Sequence, residues 1–294
     1  MANLKEVRIR IASVNSTMQI TSAMKMVSAS KLRRAQQKIL GLRPYYRELK
    51  TLVNQIIFDI PFDIQSPFFE KRSGGRCLFI IMSSNRGLCG VFNANVQKYI
   101  VSLQQNDEFA KYVDEDKLDF YVFGRRIGDF LKKKEANIIE RQDDIIEQPS
   151  TESIFKLADG ILNRYEQGEW DEIYLVYNSF KNPAMQEVTH ERLLPLDMPE
   201  VPKEHFFPEI GFIYQPDTNA IIEGMIPDFL KASILKAILE TSAGEHGARM
   251  TAMHKATDNA TELIKELKLS YNKARQAAIT KEIIEIVSGA NALE

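Results

Sequence analysis

Cysteine is nearly missing from this chain of 294 residues. The two present, Cys77 and Cys89, cannot make a disulfide framework and match no metal-ligand spacing. Long apolar runs are missing as well. None reaches 18 residues, so no segment reads as a membrane span. The opening Met1-Ala2-Asn3-Leu4-Lys5 lacks the apolar core and small-residue cleavage site of a signal peptide. It shares the basic, amphipathic character of a mitochondrial presequence, but a helical pattern that runs on to residue 56 is too long for one. A cytoplasmic-side protein is the expectation. Phosphate loops are absent too: neither Gly-x-x-x-x-Gly-Lys-[Ser/Thr] nor Gly-x-Gly-x-x-Gly occurs.

Charge is present but unevenly spread. The formal net charge of −2 hides +9 over residues 1–57, −8 over 58–207 and −3 over 208–294. Such an asymmetry points to an N-terminal segment with a partner of its own. Nucleic acid is one candidate for a basic helix. Residues 1–44 carry little aromatic interleaving and no base-reading motif, which ranks it below an acidic protein surface.

Periodicity is the strongest signal. Steps of three and four from Leu4 give Val7, Ile11, Val14, Met18, Thr21, Lys25, Ser28, Leu32, Ala35, Ile39, Leu42, Tyr46, Leu49, Val53 and Ile56. Thirteen of these sixteen are apolar, where chance would give about seven. A sustained 3.5-residue repeat predicts a helix packed along a narrow seam. Pro44 should kink it. The seam is polar at Thr21, Lys25 and Ser28, with Met24, Met26 and Val27 alongside. Two readings stand: a locally weak seam, or a place where contacts turn outward to another protein through adaptable methionines.

The other end mirrors this. No proline follows Pro227, which suits a first helical turn. Met253, Ala256, Ala260, Leu263, Leu267, Tyr271, Ala274 and Ala278 form one stripe. Each terminal helix would be roughly 85–90 Å long, wider than any core this chain can build. The two are expected to pair as an antiparallel coiled coil.

The middle alternates strand and helix. Cys77–Met82, Leu118–Phe123, Glu172–Tyr177 and Met185–Leu194 read as strands, with helices over Val91–Leu103, from near Arg125, and over Ser153–Tyr165. This predicts a parallel or mostly parallel α/β domain. The expected organisation is a helix over 1–58, a Rossmann-like α/β domain over 75–195, a proline-rich linker over 196–226 and a helix over 227–290.

Chemistry is hard to find in it. Gly87-Leu88-Cys89-Gly90 after a buried strand reads as a structural turn ahead of a phosphate site. Cys89 reads as a packed thiol ahead of a nucleophile, since no base can be named for it. Of the four histidines, His190 and His205 stand alone, and His246 and His254, eight apart on roughly one helix face, read as packed or solvated ahead of metal ligands. No catalytic residue, metal or cofactor is expected. The competing reading is a nucleotide-binding α/β enzyme with oligomerising helices.

Several motifs together resemble one family. They are Ile11-Ala12-Ser13-Val14, Ile20-Thr21-Ser22-Ala23-Met24-Lys25-Met26-Val27-Ser28, Ser84-Asn85-Arg86-Gly87-Leu88-Cys89-Gly90, Ala248-Arg249-Met250-Thr251 and Tyr271-Asn272-Lys273-Ala274-Arg275-Gln276-Ala277-Ala278-Ile279-Thr280. In this order and over the whole chain they resemble the gamma subunit of rotary F-type ATP synthases of bacterial type. The resemblance implies a rotor shaft with no chemistry of its own, coupling proton-driven rotation to ATP synthesis at the beta subunits. It implies three alpha and three beta subunits, an epsilon subunit and a membrane c-ring as partners, and a peripheral position on the cytoplasmic side of the cell membrane. It assigns beta-subunit contacts to Met24, Lys25 and Arg249, and to Arg275, Gln276 and Thr280. Asn85 stands where the family usually has an acid, and Val91 where it often has glycine. Gly244 and Gly247 replace better helix formers, which costs about 1 kcal/mol each in a helix and suggests a soft spot.

Overall fold

The computed structural model describes residues 4–59, 66–183, 185–197 and 218–291. They fall into two compact units. One holds the residues up to Ala29 and those from Arg249 on, and the other runs from Ser30 to Ala248.

Helix α1 (Leu4–Asp59) follows the predicted seam. Every seam position from Leu4 to Ile56 is buried or half-buried, while the residues between them are largely exposed. The helix continues through Pro44, which sits on the exposed face. Water can therefore reach the carbonyl left without its usual donor.

The second unit contains a five-stranded sheet in the order β3-β2-β1-β4-β5. Its strands are β1 (Cys77–Met82), β2 (Leu118–Phe123), β3 (Asn137–Gln142), β4 (Glu172–Asn182) and β5 (Met185–Leu194). The first four are parallel, and β5 pairs antiparallel with β4. Central strand β1 is buried at all six positions, as a continuous apolar run demands when both faces are covered. Its odd residues Cys77, Phe79 and Ile81 join a core with Val96, Ile100 and Leu103 of α2 (Phe92–Gln104), Phe109 and Tyr112 of α3 (Asp107–Asp114), and Ile127 and Leu131 of α4 (Arg125–Lys133). Helix α6 (Thr151–Glu166) follows the short α5 (Asp144–Glu147). Strand β3 was not expected. As an edge strand it holds only two apolar residues, Ile138 and Ile139, both half-buried, so it lacks the run that marks the inner strands.

Helix α7 (Thr218–Asn291) begins nine residues before Pro227, the expected start. Pro227 therefore lies inside the helix. Most of the linker expected over 196–226 lies outside the described residues, and its last part, from Thr218, is helical. From Leu230 to Ala248 no residue of α7 is exposed. Tyr46 of α1 stacks on Phe229 with ring centroids 5.7 Å apart. Lys231 bridges to Asp159 of α6 at 3.3 Å. Thr241 Oγ1 meets the Met82 sulfur at 3.9 Å and accepts the Asn178 N–H at 3.3 Å.

Gly244 and Gly247 belong to this packing. A β-carbon on Gly244 would sit 3.3 Å from Phe92 and from Gln186, and one on Gly247 would sit 3.0 Å from the Pro183 carbonyl oxygen. They are points of close approach to the β4–β5 turn and α2, not the soft spot the sequence suggested. Gly247→Ala is therefore expected to lower stability in a denaturant titration. An open helical site would instead gain about 1 kcal/mol from the same change.

One buried ionic cluster fixes the sheet's lower edge. Asp119 of β2 accepts hydrogen bonds from Arg76 Nε (2.8 Å), from the fully buried Trp170 (2.8 Å) and from Asn137 (2.7 Å). Burial pushes the Asp119 carboxyl up, but the bonds from Arg76, Trp170 and Asn137 outweigh it and hold the group below the ordinary range. A depressed folded pKa means stability that is full above the unfolded value, about 3.9, and lost as pH falls through the folded one. Asp119→Asn should cost about 2–4 kcal/mol at neutral pH. In urea titrations across pH, the difference from the parent chain should shrink towards the acid end.

Candidate functional site

The first unit is a helix pair built from the early part of α1 and the late part of α7. Arg8 Nη2 donates to the Tyr271 hydroxyl at 2.9 Å, Thr261 Oγ1 meets the Met18 sulfur at 3.4 Å, and Thr257 Oγ1 donates to Thr21 Oγ1 at 2.9 Å. Residue numbers rise along one helix as they fall along the other, so the pair is antiparallel. Val7, Met253, Ala260 and Ile264 are buried in it.

The polar stretch of the seam is not an opening. Thr21 is 9% exposed and Ser28 3%, while Lys25 between them is half-buried. Thr21 and Ser28 are small side chains inside the contact, and the Thr21–Thr257 bond satisfies both hydroxyls at close range. What faces outward is the neighbouring set: Ile9, Ile20, Met26 and Val27 are exposed.

The six residues assigned to partner contact fall in two places. Met24 and Lys25 are half-buried on α1. By the register of Thr21 with Thr257 they lie level with the stretch of α7 near Met253. Arg249 lies about one turn further along α7; it is 8% exposed and already engaged within the chain. Arg275, Gln276 and Thr280 are exposed, about 40 Å along α7 from Arg249 at 1.5 Å per residue. The predicted stripe stays at least half-buried through Ala274, but Ala278 is exposed.

Beyond Ala274 an apolar set appears that the heptad count missed. Ile279, Ile283, Ile284, Ile286 and Val287 are all exposed. Among the described residues, no helix of this chain covers them at that level.

In the α/β unit the usual ligand crevice is closed. In doubly wound sheets ligands sit where the strand order reverses, beyond the carboxyl ends of the strands, here between β1 and β4. Thr241 and Gly244 of α7 occupy that crevice against Met82, Asn178 and Phe92. The Gly87–Gly90 turn is shaped by backbone: Leu88 and Gly90 both have positive φ, 62° and 61°. Cys89 is buried, and its sulfur accepts the Asn93 amide at 3.1 Å. Asn85 donates to the Asp143 carbonyl (2.7 Å) and accepts the Arg125 N–H (2.9 Å). It is a clip between loops, and an ionised carboxylate in its place could accept but not donate. Burial pushes the Cys77 thiol up, far from a reactive thiolate. Among the described residues no group of three or more His, Cys, Asp or Glu could hold a metal ion.

A helix pair with outward apolar residues, in a chain whose α/β crevice is filled by its own helix, defines an assembly subunit. The family model described as ATP synthase matches residues 3–293. The ATP synthase gamma chain of Christiangramia forsetii is 45% identical over 293 residues, covering 100% of this chain and 99% of that protein. That of Geotalea uraniireducens is 41% identical over 296 residues, covering 100% of both. The chain belongs to the ATP synthase gamma chain family. Its fold resembles a chain in the central stalk and c-ring structure of the Tetrahymena thermophila mitochondrial ATP synthase, with TM-score 0.57 and 19% identity over 81% of this chain and 99% of that one. It also resembles a chain of the Euglena gracilis mitochondrial enzyme, with TM-score 0.55 and 19% identity over 90% and 95%.

The helix pair yields a test of the seam. Ser28→Leu adds bulk where only a hydroxymethyl fits, and overpacking of this kind costs about 1–3 kcal/mol. Backbone amides from Met24 to Leu32 should then exchange faster with solvent, while those of β1 keep their protection.

Proposed function

We propose that this chain is the central rotor shaft of a proton-driven ATP synthase, with no chemistry of its own. The observation that carries the reading is the exposed apolar run from Ile279 to Val287, which no other described residue of the chain covers. A run of that size left in water favours association, and membership of the gamma chain family names the assembly. The enclosing partners are three alpha and three beta subunits. The α/β unit meets an epsilon subunit and the c-ring. Among the described residues no helix is long and apolar enough to cross a membrane. Attachment through the c-ring would place the chain peripherally on the cytoplasmic side of the cell membrane.

Coupling follows from geometry and not from catalysis. A shaft shifts the conformational equilibrium of a beta subunit only by contacting its states differently in each orientation. Met24, Lys25 and Arg249 supply one contact level, and Arg275, Gln276 and Thr280 a second. The adaptable, half-buried Met24 can meet successive partner geometries without a fixed hydrogen-bond pattern. The surplus of cations on α1 complements acidic partner surface.

Mixing the full chain with purified alpha and beta subunits should give one 3:3:1 complex with steady ATPase activity, and failure to associate would overturn the reading. In the membrane-bound complex, Met24→Lys should lower the ratio of proton pumping to ATP hydrolysis while the complex still assembles. An unchanged ratio removes Met24 from the coupling contact.

A further inference from the structure

Three cations of α1, Lys31, Arg34 and Lys38, recur at helical spacing on one side of the buried seam and line a cleft of about 520 Å³. Its other walls are Glu147 to Ser150, at the start of α6, and Leu239, Ser242 and His246 of α7. All these residues belong to the unit from Ser30 to Ala248.

The charge in this cleft is not neutralised. Among the described residues neither Lys31 nor Arg34 forms an ion pair, and Lys38 donates only to the Pro149 carbonyl, at 2.9 Å. The one carboxylate in the lining, Glu147, is bound instead to Arg86 at 3.3 Å. Two hydroxyls add to this lining. Ser150 is the N-cap of α6, but its side chain makes no capping bond. Ser242 of α7 lines the same space.

We propose that this cleft binds a phosphate-type polyanion, as free phosphate or pyrophosphate or as the phosphate chain of a nucleotide. The donor set decides the class. Ammonium, guanidinium and hydroxyl groups converge from three chain segments, which suits a tetrahedral oxyanion with acceptors on every side; a carboxylate is planar, has two oxygens and carries one charge. Bound there, the anion would link α1 to the α5–α6 corner and to α7. This inference stands apart from the rotor reading and uses none of the six contact residues.

Calorimetric titration of the full chain with sodium pyrophosphate at fixed ionic strength tests it. One saturable site per chain is expected. Lys31→Ala with Arg34→Ala should weaken it about 100-fold, roughly tenfold for each charged donor lost. Arg47→Ala with Lys50→Ala removes the same charge from another part of α1 and should leave affinity unchanged. Both pairs lie on exposed positions, and circular dichroism checks that each variant is folded. Parallel titrations with inorganic phosphate and with ATP separate the two sources. Tighter ATP binding assigns the site to a nucleotide, and tighter pyrophosphate binding assigns it to the free anion. No saturable binding, or equal weakening by both double variants, overturns the proposal. An acidic hexapeptide that binds more tightly than pyrophosphate also overturns it and gives the cleft to a protein partner.

Discussion

Everything in the larger unit depends on one constraint: the stretch of α7 from Leu230 to Ala248 is covered on all sides. It packs with α1 through Lys236 and Tyr46, with α6 through Lys231 and Asp159, and with the sheet through Thr241, Met82 and Asn178. A helix enclosed in this way cannot be amphipathic, and the segment is accordingly rich in Ala, Ile and Leu all round. Glu240 accepts the Phe180 N–H at 3.4 Å. Burial raises the Glu240 carboxyl above its usual range, against the pull of Lys236, that N–H and Arg43.

The same constraint explains why an α/β layer of this kind shows no ligand crevice at its switch point. Helix α7 fills the space, and the two glycines that looked like weak points let it come close enough to do so. The sheet thus serves as a platform for helices. The outward-facing chemistry moves to the helix pair, where apolar residues lie exposed at Ile20, Met26 and Val27, and from Ile279 onward. Stability and exposure are separated along α7: one stretch is fully enclosed, and the run from Ile279 to Val287 lies exposed among the described residues.

Much was legible beforehand. The α1 seam was read residue by residue, and strand β1 was bounded correctly, because both signals are local: a 3.5-residue repeat and an unbroken apolar run. Strand β3 was missed because an edge strand needs few apolar residues. The burial of Thr21 and Ser28 is not legible in the repeat, because periodicity records whether a residue is apolar, not whether a small hydroxyl finds a partner across the interface, as Thr21 finds Thr257. The exposed end of α7 was missed because a stripe looks the same with or without a helix beside it.

The sequence by itself determined the two terminal helices, their antiparallel pairing, the α/β class of the middle and the family, since each is written in spacing or in contiguous motifs. Tertiary structure alone decided that α7 closes the crevice, that Gly244 and Gly247 are close approaches, that Asn85 clips two loops, and that Lys31, Arg34 and Lys38 face Ser150 and Ser242 across a cleft. The physical reason is range. Periodicity says which face of an element must be buried, but what covers that face is contributed by residues as far as 263 positions away, and only folding brings them together.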